Sequence, residues 1–218
     1  MSFLSLWKKT KTKVESVAEN AVGDEVFLLV GLGNPGQKYT GTRHNLGRAV
    51  VEDLAESNDL AFSHDKRSNA LVARGAVAGL EVECLLPETF MNRSGDSVRE
   101  YLNYHQKNYR VVLLHDELDL LLGKIKISTS ENAGGHNGVA SVLKSVKKEV
   151  VRVRLGISPA DDGPEYLNKM RQYRPQDFVL APFDQEENVA EVVGKGVKAV
   201  KCLLKDGVDK AMNEVNGL

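Results

Sequence analysis

His44, Asp116, Asn34, Asn92 and Asn137 stand at or just beyond the ends of apolar runs, where loops collect chemistry. Together their types suit hydrolysis by a general base. An imidazole can take a proton from water near neutral pH. A carboxylate on its other nitrogen fixes the tautomer and stabilises the imidazolium as it forms. Asparagine amides can donate to a carbonyl oxygen that becomes an oxyanion without adding charge. Each residue also has a plainer reading. His44 can simply begin a helix, and Asp116 can cap a turn with Glu117 and Asp119 as solvated neighbours. Asn34 before Pro35-Gly36 suits a turn, and Asn92 and Asn137 suit helix starts. Phe90 and Met91 read as core. Tyr39 has less local packing to explain it, in a loop rich in Gly and Thr. No G-x-S-x-G elbow supports a serine nucleophile, and the five histidines lack zinc-type spacing.

These groups need strands and helices to bring them together. Residues 26–30 read as a buried strand, and 42–57 as a helix with Leu46, Val50 and Leu54 on one face. Two strands are expected at 70–77 and 80–86, around Gly79, and a helix over 97–105. A buried strand at 111–114 ends at His115 and Asp116. An edge or half-exposed strand covers 124–128. Gly134 and Gly135 open a loop before a helix at 139–147. Residues 150–157 read as a strand with Val151, Val153 and Leu155 on one face and Arg152 and Arg154 on the other. Residues 158–177 read as loop or only local helix, followed by helices near 185–204 and 207–215. Strands alternating with helices predict one α/β domain, whose ligand crevice lies beyond the strand carboxyl ends.

Gly31, Gly33 and Gly36 form G-x-G-x-x-G after the first strand, with Asp53 some way on. A dinucleotide site would need the last glycine to open a helix that receives the pyrophosphate. Here Gln37, Lys38, Tyr39, Thr40 and Gly41 intervene, so the segment reads as a structured loop and a nicotinamide or flavin site is rejected.

The chain has 218 residues, 42% hydrophobic and 27% charged, which excludes a wholly disordered protein. No apolar run has the roughly 20 residues needed to span a bilayer. Cys84 and Cys202 are the only cysteines and read as two buried thiols in a reducing compartment, not as a disulfide framework or a zinc site. The formal net charge is -1, but residues 121–154 carry seven basic and two acidic residues. That uneven distribution points to a long anionic substrate, bound by phosphate contact rather than base stacking. Residues 1–25 stand apart as a basic extension, too polar for a secretory signal. The domain is expected over 26–218, in the cytoplasm, or in the mitochondrion if the extension is a targeting segment.

With these residues in view, the sequence resembles the bacterial-type peptidyl-tRNA hydrolase family. The resemblance rests on VGLGNPGQKYTGTRHNLG at 30–47, TFMNRSG at 89–95, HDELDLLLG at 115–123 and GGHNG at 134–138. RVRLGI at 152–157, DFVLAPF at 177–183 and KDGVDKAMNEVN at 205–216 extend it. It implies a compact single α/β domain with a mixed central sheet flanked by helices, similar to phosphorylases in core topology. It implies a monomer acting on peptidyl-tRNA with no cofactor, no metal and no obligatory protein partner. By resemblance His44 is the base, Asp116 its orienting acid, and Asn34 and Asn92 hold substrate and polarise its carbonyl. Asn137 places substrate or water, while Tyr39 and Met91 line the groove. Arg154 matches a tRNA phosphate contact. Ser128 stands where a lysine is usual, with Lys124 and Lys126 close by as the candidate contacts. The stretch STSENA before GGHNG and the pair Leu121-Leu122 depart from the family pattern. A tRNA- or ribosome-binding protein without catalysis is the alternative reading, and the paired His44 and Asp116 argue against it.

Overall fold

The computed structural model describes residues 25–159, 174–184 and 187–217. Seven strands form one sheet in the order β2-β3-β4-β1-β5-β7-β6. They are β1 (Glu25–Gly31), β2 (Ser63–Asp65), β3 (Ala70–Val77), β4 (Leu80–Pro87), β5 (Asn108–Leu121), β6 (Ile125–Ser128) and β7 (Val150–Ser158). Neighbours β4, β1, β5 and β7 run parallel, while β3 and β6 pair antiparallel to β4 and β7. The helices are α1 (Leu46–Glu56), α2 (Ser94–His105), α3 (Asn137–Ser145), α4 (Pro175–Leu180), α5 (Val189–Asp206) and α6 (Val208–Asn216). The predicted single α/β domain with a mixed sheet is what the chain adopts.

The central strands read as near-continuous apolar runs because both of their faces are covered. On one face Leu29, Val112, Leu114, Val153 and Leu155 pack with α1, α5 and α6. On the other Leu28, Val30, Val111 and Leu113 pack with α2 and α3. α1 lies so close to β5 that a Cβ at Gly47 would sit 2.2 Å from the Leu114 carbonyl oxygen. Only glycine permits that approach, and it sets α1, with the turn before it, against the middle of β5.

Two expectations need correction. β5 runs on to Leu121, so His115 and Asp116 are inside a strand rather than after one. The pairing with β7 continues through Glu117 before its register shifts. Of the two cysteines only Cys84 is buried, and burial pushes its thiol up to about 12. Cys202 is half-buried, and its Sγ lies 3.2 Å from Glu214 Oε2. Residues 1–24 of the expected extension and 160–173 of the expected loop lie outside the described residues. The edge strand β6 is capped from the side: the Asn216 amide accepts from Ile127 N at 2.7 Å and donates to Ile127 O at 3.0 Å. An edge satisfied in this way is not open to another chain at that position.

A buried carboxylate ties the sheet to α2, away from the strand carboxyl ends. Glu83 Oε2 accepts from the Tyr101 and Tyr109 hydroxyls at 2.7 and 2.6 Å, and Oε1 accepts from Lys107 Nζ at 2.9 Å. Burial would raise the Glu83 carboxyl, but the two tyrosines and Lys107 together hold it below its ordinary value. Such a group adds stability that is present above the unfolded carboxylate value and is lost as pH falls through the folded one. Glu83→Gln is therefore expected to cost about 2 to 3 kcal/mol at neutral pH, mainly by leaving buried donors underpaired. The same change should flatten the loss of stability as pH falls below the ordinary carboxylate value, read by urea unfolding at several pH values.

Candidate active site

The carboxyl ends of β1 and β4 and the interior of β5 each deliver part of the site. β1 leads into Asn34, β4 into the 3-10 turn Met91–Arg93, and β5 carries Asp116. The expected helix over 42–57 is a 3-10 turn, Arg43–Asn45, followed by α1. His44 sits in that turn, 8% exposed, facing Asp116, which is 2% exposed. The G-x-G-x-x-G segment is a loop, since two 3-10 turns separate Gly36 from α1. Only a 3-10 turn, and no α-helix, opens at Gly36 to receive a pyrophosphate.

His44 Nδ1 lies 2.9 Å from Asp116 Oδ1 and 3.1 Å from Oδ2. An ionised carboxylate only accepts, so Nδ1 carries a hydrogen, and in the neutral ring Nε2 keeps its lone pair. A second imidazole completes the pair. His136 Nε2 lies 2.9 Å from the same Asp116 Oδ1. Its Nδ1 accepts from the backbone N–H groups of Gly138 and Val139 at 3.1 and 3.2 Å, capping α3. The cap fixes the tautomer: with Nδ1 accepting, Nε2 must donate to Asp116. The two rings stand 4.7 Å apart. Burial would raise the Asp116 carboxyl, but His136 beside it and the hydrogen bonds from His136 and His44 hold it well below the carboxylate range.

Behind them lies a third ring. His115 is fully buried, donates from Nδ1 to its neighbour's carbonyl oxygen at 2.7 Å, and packs edge-on to His136. Burial pushes His115 down to about 3, with His136 acting in the same direction. It serves as wall rather than base.

The ligand atoms of His44, Asp116 and His136 all lie within 4.8 Å of one another, a spacing that can hold a metal ion. The tautomer argues otherwise. His136 Nδ1 is occupied by two backbone donors, so metal at Nε2 would require an imidazolate.

Asn34 is pinned in three places. Its N–H donates to Asn45 Oδ1 at 2.8 Å, its carbonyl accepts from Asn45 Nδ2 at 3.0 Å, and its Oδ1 accepts from Met91 N–H at 2.9 Å. A backbone N–H can only donate, so the oxygen assignment is settled and Asn34 Nδ2 is left to donate elsewhere. Asn92 is exposed and lies outside this hydrogen-bonded network; Asn137 is exposed at the first turn of α3. Tyr39 is half-buried with Lys38 Nζ over its ring. Met91 is 4% exposed, in the core against α3, as expected. Phe90 beside it is 56% exposed and is not a core residue.

The basic candidates share a strip. Arg154 on β7 pairs with Lys126 on β6, and Arg152 with Ser128, on the face opposite Val153 and Leu155. Arg154 Nε donates to Glu117 Oε2 at 2.9 Å. Glu117 is buried rather than solvated, because that ion pair satisfies it. Lys124 and Lys126 are both exposed.

His136, Asn45 and Arg43 are site neighbours that the sequence did not single out. Histidine is not a usual helix cap, so nothing marked His136 beyond its place after two glycines.

A family model described as Peptidyl-tRNA hydrolase matches residues 28–218. The chain belongs to the peptidyl-tRNA hydrolase family. The peptidyl-tRNA hydrolase of Clostridium acetobutylicum is 39% identical over 198 residues, covering 88% of this chain and 99% of that protein. That of Solibacter usitatus is 41% identical, covering 88% and 94%. A solved peptidyl-tRNA hydrolase from Acinetobacter baumannii superposes with a TM-score of 0.74 at 34% identity, covering 88% of this chain and 94% of that one. In this peptidyl-tRNA hydrolase family member, among the described residues, no helix is long and apolar enough to cross a membrane.

Proposed function

We infer that His44 is the general base of the family reaction, with Asp116 holding its tautomer and His136 holding Asp116. The reaction cleaves the ester between peptide and tRNA, and so recycles tRNA from stalled or dropped-off translation products. The observation that carries the residue assignment is the 2.9 Å contact from His44 Nδ1 to Asp116, which leaves Nε2 available to a water molecule.

The scheme follows from the donors. His44 Nε2 takes a proton from water as its oxygen attacks the ester carbonyl. The carbonyl oxygen becomes an oxyanion, and Asn34 Nδ2 with a neighbouring backbone N–H donates to it. Collapse of the adduct breaks the ester bond, and the leaving ribose oxygen takes the proton back from His44. The products are free peptide acid and tRNA. Asn92, exposed and next in the chain to Met91, binds the substrate, and Asn137 at the start of α3 orients water or peptide backbone. Tyr39 lines the groove, and Met91 shapes it from beneath. Free aminoacyl-tRNA is a poor substrate, since groups that bind the peptide amide are left unpaired by a free amine. Release of peptide from N-acetyl-aminoacyl-tRNA, compared with free aminoacyl-tRNA and with His44→Ala, tests this reading. Equal turnover by that variant would refute it.

Lys126, Lys124 and Arg154 contact tRNA phosphate, a reading supported by the register that sets Arg154 beside Lys126. Lys126→Ala is expected to raise KM several-fold at unchanged kcat. It should also make the salt dependence of log kcat/KM shallower by roughly 0.7 to 0.9 for the one phosphate no longer neutralised. An unchanged salt slope would remove Lys126 from the interface. Residues 26–218 form the hydrolase unit and 1–25 an extension, a division supported by the family match beginning at residue 28. The protein works as a monomer in the cytoplasm; the lack of arginine in residues 1–25 favours that compartment over an organelle.

A further inference from the structure

Arg43 is buried beside the catalytic histidine, yet the hydrolytic scheme gives it nothing to do. Its guanidinium lies 4.4 Å from the Phe178 ring centre and 5.1 Å from that of Phe183. Nη1 donates to the Pro182 carbonyl oxygen at 2.6 Å, and Nη2 donates to Glu187 Oε2 at 2.6 Å, with Asp184 at 3.6 Å. The backbone follows the same path. Arg43 N–H donates to Ala181 O at 3.1 Å, and Thr42 forms a β-bridge with Pro182.

Burying a guanidinium costs several kcal/mol before its partners repay it. An apolar side chain between two phenylalanines would glue these segments together at lower cost. What an arginine adds is a rigid planar fork, held between ring faces and fixed in direction by two acceptors. It stands next to the residue whose ring direction matters most. The two neighbours of His44 in the chain are each bound to a different segment: Asn45 to Asn34, and Arg43 to Ala181, Pro182 and Glu187. The ring itself is bound to Asp116 on β5. The short turn bearing His44 is thus held at both ends.

We propose that Arg43 is a positioning residue, which aims His44 Nε2 at the attacking water through its clasp on Phe178, Pro182, Phe183 and Glu187. This rests on His44 being the base. A misplacement of about 1 Å in such a group can cost about a hundredfold in rate. Lysine at this position keeps the charge but loses the plane and one of the two directed bonds.

The test is the single-turnover rate constant on N-acetyl-aminoacyl-tRNA with enzyme in excess, which counts only active molecules. Each variant is assayed at a temperature where circular dichroism shows it folded. Arg43→Lys is expected to lower that constant by about 10- to 100-fold, with the half-saturating enzyme concentration changed by less than about twofold. Glu187→Gln should lower it in the same direction and serves where an Arg43 variant fails to fold. In Arg43→Ala, added guanidinium ion is expected to restore activity, and added ammonium is not. A normal rate constant in Arg43→Lys, with only a lower melting temperature, would make the clasp a structural rivet and overturn the proposal. Wild type and His44→Ala run alongside: activity surviving in His44→Ala would instead defeat the assignment of the base.

Discussion

Asp116→Asn is expected to lower kcat by about four orders of magnitude while leaving the fold in place, because it installs the wrong tautomer. Asp116 Oδ1 accepts from both His44 Nδ1 and His136 Nε2, and Oδ2 also faces His44. A carboxamide offers one accepting oxygen and one donating nitrogen. His136 cannot adapt, because two backbone N–H groups of α3 occupy its Nδ1. The asparagine oxygen therefore turns to His136, and its NH2 turns to His44. His44 Nδ1 must then accept, which moves its hydrogen to Nε2 and removes the base. The check is kcat on N-acetyl-aminoacyl-tRNA beside a melting curve. A loss smaller than about tenfold would mean that Asp116 does not set the tautomer.

His44→Ala is expected to cost about 10²- to 10⁴-fold in kcat, the usual range for a positioned general base. Its effect on KM should be small, since the ring contributes to proton transfer rather than to holding tRNA. Asp116 keeps its bond from His136, so the buried carboxylate is not left alone. The double variant His44→Ala with Asp116→Asn should be hardly slower than either single variant, because the two residues act as one unit. Multiplied losses in the double variant would show that Asp116 works by a route that does not pass through His44. Burst-free kinetics are expected in every case, as no side chain forms a covalent intermediate in this scheme.

The sequence by itself determined the class of fold and the chemical types at the site. Strands at 70–77, 80–87 and 150–158 were legible because apolar runs bounded by turn residues are local signals. The stripe of Leu46, Val50 and Leu54 marked α1 for the same reason. His44, Asp116 and Asn34 stood out as chemistry at the ends of such runs, and the resemblance to the peptidyl-tRNA hydrolases joined them. Where β5 ended was not legible. Its continuation through His115, Asp116 and Glu117 depends on ladder bonds to β7, which lies far along the chain. A polar run is kept in a strand by partners that no local pattern records.

Tertiary structure alone decided which of the histidines joins the site. His136 is identified by two bonds in opposite directions, one to a helix end and one to Asp116 across the sheet. Glu117 reads as a surface acid until Arg154 is placed beside it. Phe90 and Met91 are neighbours of similar hydrophobicity, and only the turn Met91–Arg93 puts one in the core and the other in solvent. Arg43 reads as an ordinary cation in a Gly- and Thr-rich loop. Its burial between Phe178 and Phe183 is fixed by residues more than a hundred positions away. Side-chain type and spacing announce what chemistry is available, while long-range packing chooses which groups are close enough to perform it.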